Sequence, residues 1–251
     1  MTAILSDLAA LPGLWVLCAA MLVAGLVRGF TGFGTAMIFV PVAGRYLAPE
    51  QVIAVMALTG LASAGALVPR AWREGERVEV GRLAFAACLT VPVGMALIPL
   101  VPNLAIRWIA ISIAAITLIA LVAGWRYQHA PGPQGLLGIG AGAGLMGGLA
   151  GLTGPLVILF YLAGTAPSRT VRANTILFLA ALDVVLVANL AVRGETTAPI
   201  LVLAACLGVP YLLATALGQA AFRPGREGLY RNVAYAVIGV AILTGLPLWG
   251  S

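Results

Sequence analysis

The sequence contains no lysine, one histidine and three cysteines among its 251 residues, and only 9% of it is charged. Each shortage excludes a class of function. Without lysine there is no Ser–Lys pair, and the single His129 lies in a polar connector, so no base faces a nucleophile inside an apolar segment; the chain reads as no enzyme. Cys18, Cys88 and Cys206 all fall in apolar runs without CxxC spacing, which marks them as packing residues and not a disulfide or metal set. No phosphate-binding loop, metal-ligand spacing or nucleotide site occurs, so neither a cofactor nor direct ATP coupling is expected. The net charge of +6 comes from arginines spread over the ends of apolar runs, which excludes a nucleic-acid face. Met1–Leu11 holds Asp7 but no basic residue, so no cleaved signal peptide is expected.

What is present is apolar. Hydrophobic residues make up 62% of the chain, against ~45–50% in an ordinary soluble domain. The charge falls between runs of membrane-spanning length, so the chain reads as an all-α polytopic membrane protein whose first partner is the lipid bilayer.

Two stretches are versions of one another: Ala24–Pro41, AGLVRGFTGFGTAMIFVP, and Ala143–Phe160, AGLMGGLAGLTGPLVILF. Gly25, Gly29 and Gly32 match Gly144, Gly148 and Gly151 at a constant offset of 119 residues. Pro49 matches Pro167, and ACLTVP at 87–92 matches ACLGVP at 205–210, at an offset of 118. The chain therefore divides into two homologous repeats of four elements. The first, 1–126, holds elements at 12–47, 50–69, 80–100 and 104–125; a connector at 127–133 carries Pro131, Gly132 and Pro133. The second, 134–251, holds elements at 134–165, 168–192, 197–221 and 229–249.

Charge decides how the first element of each repeat sits. If all eight elements crossed the membrane, the thirteen arginines outside the glycine motifs would divide seven to six between the faces. If elements 12–47 and 134–165 instead enter and return as re-entrant hairpins, each repeat has three crossings and the two are inverted. Ten arginines then share one face, and only Arg45, Arg107 and Arg193 remain opposite. That asymmetry is the one expected of a cytoplasmic face, with both termini outside. Residues 12–47 also suit two half-depth helices better than one or two full spans. Trp15, Trp72, Trp108, Trp125 and Trp249 fall at or near element ends, as an interfacial belt requires. WREGERVEVGR at 72–82 reads as a solvated, mixed-charge cytoplasmic loop.

Irregular backbone at membrane depth is tolerated only in protein or beside a wet cavity, and broken segments at matching positions of two halves point to a transporter's binding site. Short helices begin after each break, and their N-termini would converge near the midplane as an anion site. The candidate ligands are Gly29, Gly32, Gly34, Gly148, Gly151 and Gly154, where backbone approaches closely, with hydroxyls from Thr31, Thr35 and Thr153. Arg28 lies one residue before the first break. Its fork suits an oxyanion, or it caps the last carbonyls of the preceding helix. Its repeat counterpart is Gly147. Asn174 and Thr175 either donate to the same anion or bond between helices. Asp183, whose counterpart is Gly65, is a proton carrier, a cation ligand, a partner for Arg28 or a packing group.

The paired motifs G-x(3)-G-x-x-G-x-G and G-x(3)-G-x-x-G-x-x-G-P resemble the signature of the sulfite exporter TauE/SafE family, also called the toluene-sulfonate uptake permease family. The resemblance spans essentially the whole chain. It implies movement of small sulfur-containing or related organic anions, such as sulfite, sulfonates or sulfoacetate, across a bacterial inner membrane. Thr153 stands at a usual glycine position of the second motif, and GFGTA replaces a more glycine-rich first motif, so the substrate list transfers only as a class. The expectation is a secondary transporter, an exporter by preference, working by alternating access at the hairpin tips with proton coupling through Asp183 as one route. An anion channel or a carboxylate transporter of the same fold is the alternative. A homodimer and a monomer are both open.

Overall fold

The structure, a computed structural model, describes residues 10–125, 131–164, 166–221 and 227–247. The signal-peptide reading, His129, Arg126, Arg223, Arg226 and Trp249 fall outside these residues, as does the side chain of Arg231. All regular structure among the described residues is helical: α1 Leu14–Thr31, α2 Thr35–Ala43, α3 Pro49–Glu74, α4 Arg77–Leu97, α5 Asn103–Val122, α6 Pro133–Ala150, α7 Pro155–Ala163, α8 Ser168–Val192, α9 Ala198–Ala221 and α10 Glu227–Gly245. Among the described residues six helical stretches are long and apolar enough to cross a membrane, and the chain is a multi-pass membrane protein.

The starts and stops follow from local chemistry. Pro49, Pro133 and Pro155 open their helices, where a missing N–H costs nothing. Gly32 and Gly151 end α1 and α6 with φ of +82° and +73°, conformations that a Cβ resists. The chain then doubles back. At Gly34 a Cβ would meet Val27 of α1, and at Gly13, before α1, it would strike the Tyr46 ring that follows α2. In the second repeat Thr153 lies over Gly147 and Leu156 over Gly142.

Two features depart from the expected pattern. The arms of the first turn are unequal: α1 has 18 residues and α2 has 9, about 27 Å against ~14 Å at ~1.5 Å per residue. The left-handed Gly32 sits late in the segment and sets the long arm. Residues 72–82 are not a loop, because α3 runs on to Glu74 and α4 starts at Arg77, leaving only Gly75 and Glu76 between them. Arg70 supports that extension with an i,i+4 bridge to Glu74 at 2.8 Å, and Arg77 stacks on Trp72 at 5.0 Å.

The repeats interlock. The helix α1 packs most extensively on α9 of the other repeat, and its counterpart α6 packs the same way on α4, the counterpart of α9. Small residues permit this. Gly25 and Gly29 sit on the backbone of Tyr211 and Thr215, while Gly140, Gly144 and Gly148 sit on the carbonyls of Leu83, Ala87 and Val91. The central pair is α3 with α8. The Arg169 guanidinium bonds Glu74 at 2.7 Å, which places the end of α3 and the start of α8 at one end of the molecule. At the opposite end Arg45 donates to the Thr244 carbonyl at 2.8 Å, and the Arg107 stem lies beside Gly44.

Candidate functional site

The first turns of α2 and α7 carry N–H groups with no intrahelical acceptor, and neither helix has a side-chain cap. Both turns face one small cavity. It is lined by Gly34, Thr35, Ala36 and Met37 on one side and by Thr153, Gly154 and Pro155 on the other. Arg28 from the end of α1 and Asp183 from the middle of α8 complete it, with Gly60, Met56 and Tyr211. The free volume is about 20 Å³, room for a single water and too little for a sulfite ion.

Arg28 is 5% exposed. Its Nε and Nη2 are buried and find no hydrogen-bond partner. A buried guanidinium with two donors unbonded is costly. Arg28 does not cap α1. That role falls to Arg172 of α8, which donates to the Gly29 carbonyl at 3.0 Å and lays its stem over Gly32. Asp183 shares the cavity with Arg28, and no ion pair within 4 Å joins them. Its carboxylate is seated on Gly60, where any Cβ would collide with it.

Six of the residues read from sequence thus line one space: Arg28, Gly34, Thr35, Thr153, Gly154 and Asp183. The others lie elsewhere. Gly29 and Gly148 face α9 and α4 across the helix crossings, and Gly32 and Gly151 form the turns themselves. The Thr31 hydroxyl lies 2.8 Å from the Val27 carbonyl and accepts the Phe33 N–H at 3.2 Å, closing the first turn. Thr175 bonds back to the Val171 carbonyl at 2.8 Å.

Asn174 ties α8 to the α3–α4 junction. Its Oδ1 accepts the Glu76 N–H at 2.7 Å and its Nδ2 reaches Glu79 at 3.4 Å. Asn174→Ala strands that part-buried backbone donor and should cost about 1 kcal/mol, read as a fall of ~2–4 °C in melting temperature. Anion exchange should survive the change, which an exchange assay in liposomes checks.

Tyr211 escaped the sequence reading. It is fully buried on α9, and its hydroxyl lies 3.3 Å from Thr35 Oγ1 at the mouth of the first turn. One signal was available. Tyr211 follows Pro210 where the first repeat has Val93 after Pro92, so it is a polar departure inside an otherwise matched segment.

The model of one protein family, described as sulfite exporter TauE/SafE, matches residues 17–245. No curated protein and no solved structure matches the chain.

Proposed function

This chain belongs to the sulfite exporter TauE/SafE family, a family of membrane transporters, and on that premise we infer that it is a secondary carrier of small sulfur-containing oxyanions in a bacterial inner membrane. The observation that carries this reading is the buried, unpartnered Arg28 guanidinium where two helix N-termini converge. The fork of Arg28, the free N–H groups of Thr35, Ala36 and Met37, and the hydroxyls of Thr35, Thr153 and Tyr211 suit a compact oxyanion such as sulfite or a sulfonate headgroup.

The α1–α2 and α6–α7 units serve as re-entrant hairpins entering from opposite faces. The Arg169–Glu74 bridge supports this. Eight crossings would put Arg169 and Arg70 on opposite faces, whereas both bond Glu74. With the cavity closed around a water-sized space, loading requires one tip to withdraw from the other. Each hairpin then gates the face from which it enters, which is alternating access around a fixed site. Export needs no obligatory coupling ion, because an inside-negative potential favours anion exit by ~2.3 kcal/mol per charge per 100 mV.

Asp183 is the proton carrier in this scheme, held over Gly60 and facing the same anion as Arg28. Asp183→Asn is expected to remove the response of anion flux to an imposed pH gradient while exchange of anion for anion continues. Gly60→Ala, which displaces the carboxylate, should reproduce that phenotype in part. Flux measured with and without the gradient decides; a pH response unchanged in both variants would leave Asp183 a packing group.

The overall test is counterflow in proteoliposomes loaded with sulfite, sulfoacetate, isethionate or small carboxylates, with labelled sulfite outside. Saturable, trans-stimulated uptake supports a carrier. Conductive, non-saturating flux would instead mark a channel, and trans-stimulation by carboxylates alone would shift the substrate class.

A further inference from the structure

The three cysteines are free thiols, Cys18 on α1, Cys88 on α4 and Cys206 on α9. Spacing along the chain pairs none of them, but the crossing of α1 on α9 pairs two. Glycines set its register. A Cβ at Gly25 would meet Tyr211, Ala214 and Thr215, and one at Gly29 would meet Thr215, Gly218 and Gln219. Both helices advance by one turn between the two sites, so they run parallel at an offset of 186 to 190 residues. Two further turns back, about seven residues, the same offset sets Cys18 against residues 204–208. Cys206 is the middle one.

The thiols of Cys18 and Cys206 meet there in a side-chain hydrogen bond. A disulfide needs Cα atoms within ~7 Å of each other and sulfurs drawn to ~2.05 Å. Helices that rest backbone against backbone at Gly25 and Gly29 favour that approach, and thiols already in contact close it by rotation about χ1. Cys18 is the fifth residue of α1, about 6 Å along it, one turn below the exposed Trp15. Both cysteines are half-buried, so neither is sealed in the core.

The pair stands on the arm that carries the tip site. Arg28 follows Cys18 on the same helix, about 15 Å further along. Fixing α1 on α9 therefore fixes the depth of the first tip. The crossing of α6 on α4 has no such pair, since α6 holds no cysteine to face Cys88. A bond between Cys18 and Cys206 restrains α1–α2 and leaves α6–α7 free to move.

We propose that Cys18 and Cys206 form a reversible disulfide by exchange with an external organic disulfide, and that this bond pins α1 to α9 and halts the carrier. One cysteine thiolate attacks the oxidant's disulfide, forms a mixed disulfide and expels the first oxidant thiolate. The other cysteine thiolate then attacks the protein sulfur of that mixed disulfide and expels the second. The Cys18–Cys206 bond replaces the oxidant's S–S bond, the cysteines are oxidised, and their two protons end on the two released thiols. Closure of the bond does not depend on the carrier reading above; the halt does. In the topology with both termini outside, the pair lies toward the oxidising side of a bacterial inner membrane. The pinned hairpin cannot withdraw while the other still opens, so the oxidised protein binds anion from one face and does not exchange it.

The test uses the full-length Cys88→Ala protein and one molar equivalent of the permeant reagent 2,2′-dithiodipyridine. Both equivalents of pyridine thione should be released, and the intact mass should fall by two hydrogens with no pyridyl group retained. A phosphine reductant should restore both thiols. The Cys206→Ala protein, which keeps Cys18 and Cys88, is the control and should hold pyridyl adducts instead. The oxidised protein should melt higher than the reduced one and keep its stabilisation by sulfoacetate. In proteoliposomes it should exchange sulfoacetate at least about tenfold more slowly, because a gate cross-linked shut cannot turn over, and reduction should restore the rate. Sulfoacetate is the probe because sulfite itself attacks disulfides.

Retained pyridyl adducts, or a cross-link no more frequent than in the control, overturn the pair. A cross-link that leaves exchange unchanged overturns the halt. So does a lower melting temperature with loss of stabilisation by sulfoacetate, since the bond would then be distorting the fold. If the reduced protein exchanges sulfite alone, the oxidised protein should show a lag that ends as sulfite opens the bond; no lag overturns the halt. If the reduced protein exchanges neither anion while the cross-link forms and raises the melting temperature, the carrier reading and the halt fail and the thiol pair stands.

Discussion

An Arg28→Gln protein is expected to insert and fold yet exchange anions at least about 100-fold more slowly than the parent. Two charge-assisted hydrogen bonds to the anion would be lost with the guanidinium, together worth roughly 3–5 kcal/mol, and every ~1.4 kcal/mol is tenfold. The fold loses no contact of that kind, because Nε and Nη2 of Arg28 have no hydrogen-bond partner. Removing a buried charge that lacks a partner should leave the melting temperature level or raise it. Counterflow and thermal unfolding measured on the same preparation decide the matter. If the melting temperature falls sharply while exchange persists, Arg28 is a structural residue and the helix N-termini must hold the anion alone. Arg28→Lys keeps the charge without the planar fork and should fall between the two, closer to the loss.

Gly144→Leu should be the most damaging change to the fold. The residue lies where α6 crosses α4, against the Ala87 carbonyl and the Thr90 hydroxyl, and that hydroxyl donates to the Ala141 carbonyl at 2.7 Å across the same crossing. A leucine there cannot be housed in a side-chain gap, since the obstruction is backbone. The helices must part, the Thr90 bond is lost, and the overpacking cost of about 1–3 kcal/mol adds to roughly 1 kcal/mol for the hydrogen bond. The expected result is a fall of ~6–14 °C in melting temperature or loss of monodisperse protein. Gly138→Leu, on the same helix with open space at its Cβ, is the control and should behave as the parent. Equal behaviour of the two variants would mean that the crossing is looser than its geometry.

Both expectations turn on which glycine does what. All of the matched glycines belong to one sequence motif, and a motif read along the chain cannot separate a turn from a crossing. Gly32 and Gly151 take left-handed φ and make the turns; Gly29 and Gly148 are small because α9 and α4 pass over them. Only Gly34 and Gly154 of that set border the tip cavity. The partner helices α9 and α4 come from about 186 and about 57 residues away in sequence at these crossings, and no local pattern announces them.

The polar groups of the cavity obey a different rule. Arg28, Asp183 and Tyr211 each stand where the other repeat has Gly147, Gly65 and Val93. Matched positions build the scaffold, and the unmatched polar ones converge on one small space. Asn174 and Arg172 show the limit of that rule, because they too are polar within the same span, yet one binds the α3–α4 junction and the other the end of α1.

By itself the sequence determined the membrane character, the two glycine-broken turns and the family. Each of these depends on composition or on spacing within a few residues, and short-range sterics and hydropathy act on that scale. Only the tertiary structure decided that α1 packs on α9 and α6 on α4, that Arg172 caps α1, and that Arg28 is left unpartnered beside Asp183. Those outcomes depend on which helices meet and at what depth. That is settled by close packing of small residues across the repeat interface, a contact between segments that the linear order keeps far apart.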